Sequence, residues 1–146
     1  MSNTSPFSGD RWAGNQSQYL GGEESFALAI ALHRTLGWST VGLFSDESTI
    51  CHALVRDFSG MHFDIRGYIP YDEIGKPFRI RTQSCNLRSV DPNDLLKSKG
   101  VDSVKIGGAF LLAHEIWHDQ LDWQIPKLEA RISAWLYGKK FLCKRS

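Results

Sequence analysis

The chain has no Cys-x-x-Cys pair, and its three cysteines are an odd number. That excludes a disulfide framework and a zinc ribbon built on paired cysteines. Neither sign of charge dominates: 17 basic residues stand against 16 acidic ones. Wholesale nucleic-acid binding draws on a clear basic excess or stripe and is not expected here. Long apolar runs are missing too. The longest, Phe26 to Leu32, is far too short to cross a bilayer. There is no charged-then-apolar leader. No internal repeat or glycine-rich phosphate loop occurs, and Gly107-Gly108 lacks the rest of a P-loop. These absences point to a soluble, cytoplasmic protein that spans no membrane.

What is present is an ordinary globular composition, with 146 residues, 42% of them hydrophobic and 23% charged. A chain of this size can bury one sizeable core without staples. Residues 1–18 are rich in Ser, Asn, Gly and Gln and read as a loose N-terminal arm; residues 19–146 read as a single domain. Glu23 to Leu36 reads as a helix, with acidic residues in its first turn and Gly37 as its stop. It is apolar on nearly every side, which predicts burial. Strands are expected at Thr40–Phe44, Thr49–Arg56, Met61–Arg66 and Phe78–Thr82. Helices are expected from Asp91-Pro92 to Lys99, from Ala109 to Leu121 and from Pro126 to about Tyr137. The expected fold is α+β, with a buried N-terminal helix packed on a small antiparallel sheet and C-terminal helices covering one side.

Side chains alternate across a strand, so His52 shares a face with Ile50 and Leu54, and Asp64 one with His62 and Arg66. A three-residue loop at 57–59 sets His52 opposite Asp64. A histidine oriented by an acid is two thirds of a nucleophile–base–orienter constellation. The missing third is a thiol at a helix N-terminus, where its pKa is lowered. The segments Gly21-Gly22-Glu23-Glu24-Ser25-Phe26-Ala27, Cys51-His52-Ala53 and Phe63-Asp64-Ile65-Arg66-Gly67 resemble the transglutaminase-like and papain-like cysteine-hydrolase superfamily. Gly21, Phe26, Ala27, His52, Asp64 and Gly67 fit its pattern over roughly residues 19 to 68. At the nucleophile position this chain carries Glu23, which cannot do thiol acyl transfer. Ser25 lies about 200° further round the helix, Cys51 points to the other face of its strand, and Cys85 follows the histidine without a clear helix. The resemblance thus implies a degenerate hydrolase-like domain with Glu23, His52 and Asp64 marking a vestigial cleft. A plain cross-strand His–Asp pair explains the same residues.

A second word, His114-Glu115-Ile116-Trp117-His118, resembles zinc peptidases of the His-Glu-x-x-His class. Histidines at i and i+4 share one helix face and can share a metal, while the intervening Glu115 can serve as general base. Three protein ligands are needed, and Glu129 is the expected third, with Asp122 as a second option. Two ordinary surface histidines explain the motif equally. Trp117, Leu121, Trp123, Trp135 and Tyr137 read either as core or as an aromatic patch for a protein partner or a homodimer. Lys76, Arg79, Arg81 and Arg88 form a local basic stretch that reads as a charged sheet edge.

The expected function is therefore a non-catalytic protein-binding or inhibitory module without a cofactor. The alternative is a small zinc hydrolase using His114, His118 and Glu129 as ligands, and a thiol enzyme using Cys85 comes third.

Overall fold

A helix apolar on every side must be covered on every side, and the computed structural model, which describes residues 16–98 and 100–118, provides that cover. A single turn, α1 (Gln16–Tyr19), leads into α2 (Gly22–Leu36). Residues 16–18, expected in the arm, belong to α1, whose Tyr19 is buried. Every residue of α2 from Ser25 to Leu32 is buried. One side of α2 lies on the sheet and another on helix α4 (Ser103–Ile116). Gly37 ends α2 in the left-handed conformation, φ 76°, its N–H donating to His33 O.

The sheet is made of β1 (Ser39–Phe44), β2 (Ile50–Arg56), β3 (His62–Asp64), β4 (Gly67–Ile69) and β5 (Leu87–Ser89). Its order is β4-β3-β2-β1-β5, with every neighbouring pair antiparallel. Helices and an antiparallel sheet together give the expected α+β class. Ala53, Val55, Phe63 and Ile65 join α2 and the inner residues of α4 in the main core. Val41, Leu43 and Leu54 lie on the opposite face and pack against Ile74, from the loop between β4 and β5. Short α3 (Pro92–Leu96) is capped by Asp91, and α4 by Asp102, whose side chains accept from Asn93 N and Lys105 N.

Several elements differ from expectation. Met61–Arg66 yields two short strands instead of one, because Arg66 and Gly67 turn the chain, with Gly67 at φ 94°. Phe78–Thr82 is not a strand. Lys76–Phe78 forms a 3-10 turn, and Arg79 takes the left-handed conformation, φ 56°. The cause lies upstream: Gly75 O accepts from both Phe78 N and Ile80 N, and Gly75 N donates to Thr82 Oγ1. The loop crosses itself so closely at Gly75 that a Cβ there would run into Ile80 O. Helix α3 stops at Leu96, and α4 begins six residues earlier than expected, behind its Asp102 cap. The expected 126–137 helix lies outside the described residues. Among the described residues no helix is long and apolar enough to cross a membrane.

Ser25 ties the helix to the sheet. Strand β2 pairs with β3 only at Val55 and Arg56, so the N–H of Ala53 needs another acceptor. Ser25 Oγ takes it at 3.0 Å while donating to Gly22 O at 2.8 Å. Replacing Ser25 by Ala leaves a buried N–H without a partner, which costs about 1–3 kcal/mol. Urea denaturation of Ser25→Ala is expected to show that loss; an unchanged midpoint would contradict the role given to the hydroxyl.

Candidate functional site

His52 and Asp64 meet on the sheet face opposite α2. Their register is not the one expected. Val55 pairs with Phe63 and Arg56 with His62, two residues away from a direct His52–Asp64 pairing. The loop is responsible. Asp57 N donates to Met61 O, so the three loop residues are 58–60, and Gly60 supplies the positive φ of 92°. The Asp57 carboxylate also accepts from the N–H groups of Ser59 and Met61, fixing this turn. A shift of two keeps both side chains on one face, and they touch diagonally. His52 Nε2 donates to Asp64 Oδ2 at 2.8 Å.

The Asp64 carboxylate receives more than that one hydrogen. Arg66 Nη2 donates to Oδ2 at 2.6 Å, Arg66 Nε lies 3.1 and 3.2 Å from the two oxygens, and the Arg66 main-chain N–H donates to Oδ1 at 2.8 Å. The same guanidinium reaches Glu73 O and Ile74 O at 3.4 and 3.2 Å. His52 is fully buried and Asp64 is 2% exposed. Burial pushes the Asp64 carboxyl up, but the hydrogen bonds from His52 and Arg66 outweigh it and hold the group at about 2. On the α2 side of the sheet the half-buried Tyr68 Oη donates to Asp57 Oδ2 at 2.9 Å. Burial and that bond raise the phenol. Burial also pushes the Asp57 carboxyl up, but bonds from Ser59, Met61 and Tyr68 leave it lowered.

No nucleophile completes the constellation among the described residues. Glu23 turns to the α4 side, where its carboxylate lies 3.6 Å from Lys105 Nζ; it makes neither a hydrogen bond nor an ion pair with His52 or Asp64. Cys51 Sγ donates to Leu43 O at 3.4 Å, at a bulge where β1 and β2 shift register. Burial raises its pKa, the reverse of thiol activation. Cys85 is exposed beside Gln83, in an open cleft lined also by Phe44, Asp46, Asn86 and Arg88, and His52 is not part of that lining. Ser25 is occupied by Gly22 and Ala53. What stands against His52 is Phe78, whose ring stacks on the imidazole at 5.0 Å between centroids.

The histidines of the second motif lie at the C-terminal end of α4. His114 and His118 are both exposed, and Glu115 is partly buried. Their rings flank Trp117 at 5.7 and 6.4 Å. Among the described residues no three His, Cys, Asp or Glu side chains converge as a metal site. Glu129 and Asp122 lie outside the described residues.

Two participants went unassigned at the level of sequence. Arg66 carried a signal, since Asp64-Ile65-Arg66 places an acid and a base two apart on one strand face. Phe78 carried none, because its contact depends on the loop crossing at Gly75. No known protein family, curated protein or solved structure matches the chain.

The lowered carboxyl of Asp64 makes stability depend on acid. Its folded value of about 2 lies below the ordinary 3.8, so its contribution is fully present above about pH 4 and fades as the pH falls towards 2. The contribution is on the order of 2 kcal/mol. Asp64→Asn is expected to cost about 2–4 kcal/mol at pH 7 by leaving Arg66 and His52 mispaired. It should also flatten the acid limb of a stability–pH curve between 4 and 2, leaving the shares of Asp57 and Asp46, which are lowered as well. An acid limb equal to that of the parent protein would contradict the assignment.

Proposed function

We propose that this domain is a non-catalytic protein-binding or inhibitory module on a degenerate cysteine-hydrolase-like arrangement, acting on a protein partner in the cytoplasm. One observation carries the reading. The imidazole has its orienting acid, yet no thiol or hydroxyl bonds its other ring nitrogen among the described residues, and a phenyl ring covers its face. Hydrolysis by acyl transfer needs a nucleophile within hydrogen-bond reach of the base. Cys51, Cys85 and Ser25 each point elsewhere. The His–Asp–Arg cluster then serves to hold the domain's shape, and function rests on surface recognition. Phe58 and Met61, 48% and 53% exposed on the β2–β3 loop, supply apolar surface for a partner. On α4, Val104 and Leu111 are 81% and 71% exposed and support a self-associated form equally.

Alkylation by iodoacetamide, followed cysteine by cysteine by mass spectrometry, tests the non-catalytic part. Cys51 and Cys85 are expected to react no faster than a free thiol at pH 6–7. Peptide, ester and amide substrates are expected to remain intact. A thiol reacting more than about tenfold faster than a free one at pH 6, and slowed by His52→Gln, would overturn the reading. So would hydrolysis abolished by that substitution in a folded protein.

A further inference from the structure

The open cleft beside Cys85 has a volume of about 440 Å³, a size suited to a small molecule. One wall is the end of β1 and the turn after it, with Phe44, Asp46 and Glu47; the other brings Ile80, Cys85 and Arg88. The Arg88 guanidinium in this wall is only partly used. Its central carbon stands 3.6 Å from the centre of the Phe44 ring, and Nη2 donates to Glu47 O at 2.9 Å. Nε is buried without a partner among the described residues, and Nη1 makes no hydrogen bond among them. A guanidinium carries five donors in a flat fork, so one held on a ring with donors to spare is suited to a carboxylate.

The two acids of the cleft differ. The Asp46 carboxylate accepts from the N–H groups of Ser48 and Thr49 and from the Thr49 hydroxyl. The exposed Glu47 carboxylate has no hydrogen bond or ion pair among the described residues. The cleft therefore offers one cation and one free anion, the complement of a zwitterion. Cys85 adds an exposed thiol. Its turn is fixed on both sides: Gln83 N donates to Asn86 Oδ1 at 2.8 Å, Asn86 Nδ2 donates to Arg81 O at 2.7 Å, and Phe44 N donates to Asn86 O at 2.7 Å. The thiol itself has one long contact, 3.4 Å to Gln83 Oε1.

We propose that this cleft takes a small disulfide carrying both an ammonium and a carboxylate, and that Cys85 becomes joined to one half of it. Arg88 grips the carboxylate and Glu47 receives the ammonium. The Cys85 thiolate attacks one sulfur of the bound disulfide. A new S–S bond forms to Cys85, the old one breaks, and the other half leaves as a thiolate that takes up the proton Cys85 lost. One disulfide is used and one thiol released, with no other oxidant. Exchange of this kind is stoichiometric and leaves His52 uninvolved, so it stands independently of the binding-module reading. Neutral iodoacetamide gains nothing from Arg88, and its ordinary rate at Cys85 is unaffected.

The test uses the full chain with oxidised glutathione, cystine, cystamine and hydroxyethyl disulfide. The adduct at each cysteine is followed by mass spectrometry, and every rate is divided by that of the free peptide Gln-Ser-Cys-Asn-Leu. Oxidised glutathione is expected to react at Cys85 about tenfold or more faster than with the peptide. Hydroxyethyl disulfide, which has no charge, should show no such excess, and cystamine, which lacks the carboxylate, less than oxidised glutathione. Arg88→Gln should remove the excess and leave hydroxyethyl disulfide unchanged. If that variant does not fold, S-methylglutathione, which cannot exchange, should protect Cys85 of the parent protein from iodoacetamide. Equal rate ratios for charged and uncharged disulfides, a cystamine ratio at or above that of oxidised glutathione, or no protection would overturn the proposal. Oxidised glutathione outpacing cystine supports the site with a peptide as source; the reverse supports it with a free amino acid. Hydrolysis of an ester or amide bears on the binding-module reading alone and leaves this comparison to be decided by itself.

Discussion

A carboxylate taken out of water loses several kcal/mol of hydration and persists in a core only if donors surround it. Asp64 has such donors from separate parts of the chain. His52 brings strand β2, the Arg66 main chain brings the turn between β3 and β4, and the Arg66 guanidinium brings the carbonyls of Glu73 and Ile74. The loop over the second face is therefore anchored to the same charge that joins β2 to the turn between β3 and β4. Phe78, in the same loop, rests on His52, so its placement also depends on Asp64. On that face Val41, Leu43, Leu54 and Ile74 pack together and close the thin second layer.

The same geometry explains why the site looks like chemistry and yet is incomplete among the described residues. An imidazole oriented by a carboxylate is a general base only if something beside it can be deprotonated. Here one ring nitrogen is held by Asp64 and the other faces no partner. The start of α2 brings glycine to this region, and the acid that follows, Glu23, belongs to a surface ion pair with Lys105.

Much of this could be read from residue order. The apolar girth of α2 foretold burial, and its cause is a helix lying between sheet and α4. The His52–Asp64 meeting followed from alternation alone, and a register shift of two left it intact, because strand faces repeat every second residue. The register itself was not legible. It depends on Asp57 closing a turn with Ser59 and Met61, local bonds of one side chain that strand alternation does not reveal. The Phe78–Thr82 pattern alternates like a strand, but Pro77 and the close crossing at Gly75 override alternation. Glu23 was assigned to the cleft by its place in a motif. Its direction depends on Lys105, about eighty residues away, which no local pattern reveals. Whether the His114 and His118 pair gains further ligands depends on residues outside those described.

The most direct measurement is a carboxyl ¹³C NMR titration of Asp64 in the intact protein. A carboxylate clamped by His52 and Arg66 should titrate at about 2, with no inflection near the ordinary 3.8. A midpoint at or above that ordinary value would mean that the clamp is not formed, and the account of the sheet, the loop and the Phe78 cover would fall with it.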